Sequence, residues 1–284
     1  MVWKTRTLTL TFDRPVMMGI LNVTPDSFSD GGQYLNPDQA VVQAAKIIQE
    51  GADILDLGAE STRPNAKPIS EEEELKRLLP ALEKIKNQFQ IPISIDTTKS
   101  QVARKALELG ADVINDVSGL KQDPQMAKVI REFGAGAVLM HRRGTPETMQ
   151  LLTDYKDLIE DVIRELSESV EIAESNGISA DQIVIDPGIG FSKTAGQSFK
   201  ILERLGELKR LGRPILVGPS RKSFIHSVTK LAPDKRLFGT TAACVLAYER
   251  GAQIFRVHDV WAIKEALAVT QAVINSNSNK KVSL

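Results

Sequence analysis

The sequence predicts an α/β chain folded as a (β/α)8 (TIM) barrel with a short N-terminal β-hairpin. Two observations carry this. First, short apolar runs alternate with helical stretches eight times: Val16–Leu21, Asp53–Leu57, Ile91–Ile95, Asp112–Ile114, Ala137–Met140, Ile183–Ile185, Pro214–Val217 and Ile254–Val257. Strands buried on both faces read as continuous apolar runs. Second, the residues that follow the runs are polar or glycine: Asn22, Gly58, Asp96, Asn115, His141, Asp186, Gly218-Pro219-Ser220 and His258. A barrel core gains nothing from buried Asp or Asn, whereas chemistry in this fold sits at the C-terminal ends of the strands. The exits therefore converge on one polar mouth.

The elements follow in order. Thr5–Phe12 alternates polar and apolar and turns at Asp13-Arg14-Pro15, which reads as a hairpin plugging the barrel floor. Asn36-Pro37 opens the first helix with an N-cap and a proline at its first position, and Gly51 closes it. Ser70-Glu71-Glu72-Glu73 is a capping box for the second. Leu109-Gly110 and Gly134 end the third and fourth. A long fifth helix is expected over Asp154–Asn176, with Leu158, Val162, Ile163, Leu166, Val170 and Ile172 on a helical period. Helices over Gln197–Leu211, Phe238–Arg250 and Val260–Asn275 complete the set, and the polar tail from Asn275 to Leu284 is expected to fray.

The 284 residues form one domain by this reading, since such barrels run to ~250 residues as a unit. The 36 basic and 36 acidic residues balance, which argues against a nucleic-acid partner or an acidic membrane surface. Cys244 is the only cysteine, so no intrachain disulfide forms, which suits a reducing compartment such as the cytoplasm. The N-terminus has no apolar signal region, and no run approaches a membrane span.

Two exits are long, Thr24–Asn36 and Gly58–Ser70, as lids and substrate clamps are. The first carries Phe28 and Asp30 beside a glycine pair. The second holds Arg63 between Thr62 and Pro64, where its fork can take an anion or pair with a loop carboxylate. Asp96, Asn115 and Asp186 are each open to reading as helix caps. Together with Lys222, they form a socket for a flat heterocycle rich in N–H groups, because a carboxylate accepts two parallel N–H bonds and an amide both donates and accepts. Asp186-Pro187-Gly188-Ile189-Gly190-Phe191 lacks the P-loop pattern, so its glycines serve close backbone approach to a ring edge. Ser223 opens a helix behind Arg221-Lys222 and suits a carboxylate or phosphate. Arg256 points into the barrel if Val257 points out. His258 follows the last strand, where this fold commonly binds phosphate. His141, beside Arg142-Arg143-Gly144, reads as a structural or rim residue rather than a catalytic one. Three histidines in different loops lack zinc spacing. A Mg2+ held through Asn22 and a substrate phosphate fits the preference of that ion for few protein oxygens.

The segment Met18-Gly19-Ile20-Leu21-Asn22-Val23-Thr24-Pro25-Asp26-Ser27-Phe28-Ser29-Asp30-Gly31-Gly32 resembles the first signature of the dihydropteroate synthase family. Ser61-Thr62-Arg63-Pro64, Asp96-Thr97, Asn115-Asp116, Asp186–Phe191, Ser220-Arg221-Lys222 and Arg256-Val257-His258-Asp259 resemble its other motifs in order, over about Val16–Val273. The resemblance implies condensation of 6-hydroxymethyl-7,8-dihydropterin diphosphate with 4-aminobenzoate, giving dihydropteroate and pyrophosphate, with Mg2+ and a homodimer. It implies that Asp186, Asn115, Asp96 and Lys222 hold the pterin. Arg256 would stack on the ring and, with His258 and Asn22, bind the diphosphate. Asn22 would also meet Mg2+, and Thr62 would contact the diphosphate. Arg63 would pair with Asp30 to lock the loops, and Phe28, Pro64 and Ser223 would form the aminobenzoate pocket. Ser192, Ser198, Ala59 and Asn65 depart from the expected pattern, but none carries an implied chemical role. A methyltetrahydrofolate-dependent methyltransferase would share the socket without needing the first two loops. A silent pterin-binding protein would be expected to lose Arg63, Arg256, Lys222 or the Asn22 loop. A Mg2+-dependent aldolase barrel would want a ligand set or Schiff-base lysine that is not seen.

Overall fold

The computed structural model describes residues 1–24, 37–61 and 66–276. Phe28, Asp30, Asn36, Thr62, Arg63, Pro64 and Asn65 lie outside the described residues, as does the tail from 277 onward.

Eight parallel strands form one sheet: β3 (Val16–Asn22), β4 (Ile54–Gly58), β5 (Ile93–Asp96), β6 (Val113–Asp116), β7 (Gly136–Met140), β8 (Ile183–Asp186), β9 (Leu216–Val217) and β10 (Ile254–Val257). Each pairs with its sequence neighbour except β8 and β9, and β10 returns to β3. The barrel closes through a bridge between Ile185 and Ile215, where the Ile185 N–H donates to the Pro214 carbonyl at 3.0 Å. The polar exits Asn22, Gly58, Asp96, Asn115 and Asp186 are strand residues rather than loop residues. Their backbones remain in the ladder, which fixes their side chains by register.

The register explains the interior. Side chains alternate along a strand, and one inward set is Val16, Met18, Ile54, Val113, Val138, Val184, Leu216 and Ile254, all buried together around Trp3. Trp3 sits on β1 (Val2–Lys4), which pairs with β2 (Thr9–Thr11) in an antiparallel hairpin. The hairpin turn lies at residues 5–8, not at Asp13-Arg14-Pro15, because Thr5 closes it with both its N–H and its side chain against Leu8. Trp3 is fully buried, and its indole N–H donates to the Gln182 carbonyl at 2.9 Å. The floor of the barrel is therefore plugged, as the sequence predicts. Asp112 ties this end together by accepting from the Ile93 N–H at 2.9 Å and the Thr7 hydroxyl at 2.5 Å.

The outer layer is α1 (Pro37–Gln49), α2 (Glu71–Gln88), α3 (Ser100–Glu108), α4 (Met126–Phe133), α5 (Leu158–Ser175), α6 (Ala195–Glu203), α7 (Ser223–Thr229), α8 (Leu237–Glu249) and α9 (Val260–Ser276). Three boundaries differ from expectation. The fifth helix starts at Leu158 because Asp157 accepts the Ile159 and Glu160 N–H groups as its N-cap. The sixth starts at Ala195 on a reciprocal Thr194–Gln197 capping box, then tightens into a 3-10 turn over Leu205–Leu211. Half of the expected box at Ser70 forms: Ser70 accepts the Glu73 N–H, but the Glu73 carboxylate turns to Arg77 at 2.7 Å. Asn275 and Ser276 belong to α9 rather than to a frayed tail.

Candidate active site

Following the inward face from floor to mouth, the apolar residues give way to Asp56 on β4, Asp96 on β5, Asn115 on β6, Asp186 on β8 and Arg256 on β10. Asn22 pairs with Gly58, Gly58 with Asp96, and Asp96 with Asn115, so three of the expected residues share one layer. Gly58 leaves that layer open. A Cβ added there would lie 3.7 Å from both Asn22 Oδ1 and Asp96 Oδ2.

Arg256 is the hub. Its Nε donates to Asp56 Oδ2 at 2.6 Å and its Nη2 to Asp96 Oδ2 at 2.7 Å. Both bonds use in-plane N–H groups, which leaves the geometry in which a guanidinium face stacks on a ring. Burial disfavours its charge, but Asp56 and Asp96 outweigh that and hold the guanidinium above its usual value. The inward direction expected for Arg256 is the one observed. Asp56 escaped the sequence reading, although one signal was there. It interrupts Ile54-Leu55-Asp56-Leu57, and its alternation with Ile54 places it on the inner face. It is fully buried, and the Asn115 amide nitrogen lies 3.5 Å from each of its oxygens.

Burial lifts the Asp96 carboxyl to about 7; Arg256 pulls it down and Asp56 pushes it up. Burial also raises Asp186, against the charge of Lys222. Asp186 Oδ1 accepts the Gly188 N–H at 2.7 Å, which shapes the loop after β8. Lys222 Nζ donates to the Ile189 carbonyl at 2.6 Å and stands 4.1 Å from the Phe191 ring centroid. Burial lowers Lys222 to about 8, with Asp186 holding it up. Three carboxylates and two cations thus meet in a space largely withdrawn from water. Such preorganised charge acts far more strongly than in water.

His258 follows β10, with Nδ1 2.9 Å from Ser220 Oγ, and its backbone N–H donates to the same oxygen at 3.2 Å. Ser223 is the first residue of α7, next in sequence to Lys222, and is exposed. His141 follows β7 directly and is buried. The stem of the second long loop is held by a half-buried cation that sequence reasoning missed. Lys99 Nζ donates to Glu60 Oε2 at 2.8 Å and to Glu74 Oε2 at 2.6 Å, while Glu60 Oε1 accepts the Ile69 N–H at 2.8 Å.

The sequence profile of pterin binding enzymes matches residues 18–258. The dihydropteroate synthase of Synechocystis sp. is 49% identical over 92% of this chain and 90% of that protein. The chain belongs to the dihydropteroate synthase family of pterin binding enzymes. Among solved structures, the Clostridium difficile dihydropteroate synthase, determined in the presence of pteroic acid, superposes with a TM-score of 0.88. It is 46% identical over 92% of this chain and 97% of that one. The Xanthomonas albilineans dihydropteroate synthase with 4-aminobenzoic acid gives 0.88 at 43% identity, covering 94% of this chain and 95% of that one.

Proposed function

We infer that this chain is a transferase that condenses 6-hydroxymethyl-7,8-dihydropterin diphosphate with 4-aminobenzoate to give 7,8-dihydropteroate and pyrophosphate, a step of folate biosynthesis. The observation that carries the reading is the set Asp56, Asp96, Asn115, Asp186, Lys222 and Arg256, charged and polar groups held in register at one end of an apolar barrel. A methyltransferase or a silent binder would not need the Arg63 and Asp30 loops that the sequence retains.

The roles are assigned as follows. Asp186 accepts the N–H edge of the pterin, with Asn115 completing the edge and Lys222 balancing the charge. Arg256 stacks on the ring and, with Asn22, Thr62 and His258, takes the diphosphate. Phe28, Pro64 and Ser223 receive the aminobenzoate, and Arg63 pairs with Asp30 to close the loops. The bond between the methylene carbon and the diphosphate breaks first, and its electron pair leaves with pyrophosphate. Asp96 faces the cation left on the dihydropterin. That positive charge draws the carboxyl, lifted by burial, back toward its ionised form. The amine nitrogen then bonds to the methylene carbon and sheds one proton to the released pyrophosphate, so no strong base is required once ionisation has occurred.

Mg2+ fits as an ion that arrives with the diphosphate. Among the described residues no group of three or more His, Cys, Asp or Glu is placed to hold a metal. Asn22 Oδ1 beside the open position at Gly58 offers one oxygen, which suits an ion that keeps waters and substrate phosphates. When bound, Mg2+ would stabilise charge on the leaving pyrophosphate.

The chain is read as one domain over 1–284, because its first and last barrel strands pair with each other. Its balanced charge and buried lone Cys244 support a cytoplasmic setting. No helix among the described residues is long and apolar enough to cross a membrane. The homodimer is assigned to α8 and α9, which pack side by side. Phe238 and Leu246 on α8, and Trp261, Val269 and Val273 on α9, are exposed at spacings that keep each set on one helix face. Apolar patches of this kind mark interfaces.

The test is pyrophosphate release from the purified protein with dihydropterin diphosphate and Mg2+, with and without 4-aminobenzoate, identifying the product by mass. Dihydropteroate that forms only with both substrates is the expected result. Pterin binding without product overturns the transferase reading.

A further inference from the structure

Lys193 and His141 are buried polar residues that the reaction as derived leaves idle; each is only 3% exposed. Lys193 Nζ lies 2.9 Å from His141 Nδ1 and donates to the Phe191 carbonyl at 2.9 Å. On the far side of the ring, His141 Nε2 is 3.1 Å from Glu165 Oε2. An ionised carboxylate only accepts, so Nε2 carries the ring proton and Nδ1 accepts from Lys193. Burial and the charge of Lys193 push His141 down to about 3, against the pull of Glu165, so the ring is neutral. Burial draws Lys193 down to about 7, while Asp186 holds it up. Arg143 pairs with Glu165 through Nε at 3.0 Å, stacks on Tyr155, and donates its backbone N–H to Ser192 Oγ at 2.7 Å.

Every one of these groups bears on one loop. The His141 N–H donates to the Asp186 carbonyl at 2.9 Å. Gly188 packs so tightly on this strand that an added Cβ would come within 2.0 Å of the His141 carbonyl oxygen. That loop carries the Asp186 carboxylate, the Ile189 carbonyl that receives Lys222, and the Phe191 ring beside the same ammonium. We propose that Lys193, His141 and Glu165 form a buried brace that positions the loop over residues 186–193, and through it Asp186, Phe191 and Lys222, for binding of the pterin. The three are positioning residues, and the proposal rests on Asp186 being the pterin acceptor.

Wild-type protein is measured first. If it neither binds dihydropterin diphosphate in calorimetry nor turns over, the functional reading has failed and takes the brace with it. With a working wild type, two experiments address the brace alone. Nitrogen-15 NMR of His141 in the wild type is expected to show a neutral ring with its proton on Nε2 from about pH 5 to 8, although free histidine titrates in that window. A ring that titrates there, or that carries its proton on Nδ1, overturns the proposal. The second experiment compares Lys193→Met, His141→Gln and the double variant. Glutamine keeps a donor for Glu165 and removes the acceptor for Lys193. Each single change is expected to weaken pterin binding about tenfold through the lost buried hydrogen bond. The turnover number at saturation and the KM for 4-aminobenzoate are expected to hold within about twofold. The double variant is expected to be no worse than the poorer single, because one unit is broken once. Variants that lose thermal stability but bind pterin normally when folded, or single effects that multiply, overturn the proposal. Should a variant fail to fold, the wild-type NMR result decides.

Discussion

The floor and the mouth of this barrel are built from the same strands and follow opposite rules. At the floor, Val16, Met18, Ile54, Val113, Val138, Val184, Leu216 and Ile254 close around Trp3 without a charge among them. Two residues further along four of these strands stand Asp56, Asn115, Asp186 and Arg256, and Asp96 ends the neighbouring β5. The backbone follows the division. Helix-to-strand joints at the floor place glycine where φ is positive, as at Gly51, Gly110 and Gly251. At the mouth, Leu120, Ser192 and Arg221 accept positive φ with side chains attached. Left-handed backbone costs a non-glycine residue about 1–2 kcal/mol. A cluster of buried charges at the mouth, with left-handed backbone beside it, set against a floor of apolar packing tied by Asp112, is what a site built at the expense of stability leaves behind.

If that division holds, damage to the two ends separates into stability and function. The largest effect is expected at the floor. Trp3→Ala removes the plug and its bond to Gln182, and is expected to cost about 3–5 kcal/mol in denaturant unfolding while leaving pterin affinity of the folded protein unchanged. Weakened pterin binding in fully folded Trp3→Ala protein would break the division. At the mouth, Asp186→Asn keeps an acceptor for the Gly188 N–H and loses the charge facing the ring. Pterin affinity is expected to fall about 100-fold or more by calorimetry, as when one partner of a buried charged contact is lost. Near-normal binding would remove Asp186 from the socket.

Asp56 gives a smaller and more discriminating test. It touches Arg256 directly and the ring, on our reading, only through Arg256. Asp56→Asn is expected to lower kcat/KM for the pterin about tenfold, the worth of one charge-assisted hydrogen bond. Stability is expected to fall by about 1–3 kcal/mol, less than loss of a sole buried partner costs, because Asp96 still pairs with the guanidinium. A large loss of stability would make Asp56 a floor residue in energetic terms.

The pH profile sharpens the same point. On the proposed assignment, binding needs Asp96 ionised and Lys222 protonated. Asp96 is raised to about 7, so its carboxylate form is gained only as pH rises through that value. Lys222 is lowered to about 8, so its ammonium is lost above it. The profile of kcat/KM for the pterin is therefore expected to be a narrow bell with its maximum between the two. In Asp56→Asn the acid limb is expected to move to lower pH, since Asp56 is one of the charges that lift Asp96. A profile that is flat between about pH 6 and 9 would deny both groups their roles.

The difference between the ends also decides what could be read in the sequence. Apolar strands announce themselves by composition, and polar residues that end such runs stand out against them, so Asp96, Asn115, Asp186 and Arg256 were legible one by one. Asp56 was not, because a charge inside a run reads as an interruption until register places it beside Arg256. Lys193 and Lys99 were hidden for another reason. Their partners, His141 for one, and Glu60 and Glu74 for the other, come from separate elements that only the closed barrel brings together. The hairpin was recognised but turned at the wrong place. The Thr5–Leu8 bonds that set the turn compete locally with the Asp-Arg-Pro signal, and docking of Trp3 favours the first.

The smallest expected effect lies at Ser192, one of the departures from the family pattern, and it probes the mouth's tolerance of strain. Ser192 holds φ at +47°, and its hydroxyl accepts the Arg143 N–H at 2.7 Å. Ser192→Ala keeps the strained backbone and loses the bond. It is expected to destabilise by about 1–2 kcal/mol, since a buried N–H is left without its acceptor. Ser192→Gly loses the same bond but relieves a left-handed cost of similar size. The two should offset to within about 1 kcal/mol in a thermal or denaturant midpoint. If glycine proves as damaging as alanine, the backbone at this position carries no strain and the hydroxyl alone explains the serine. If glycine is more stable than wild type, the strain exceeds the bond. The loop that presents Asp186 then holds a residue that costs stability, which is the mark of the mouth and not of the floor.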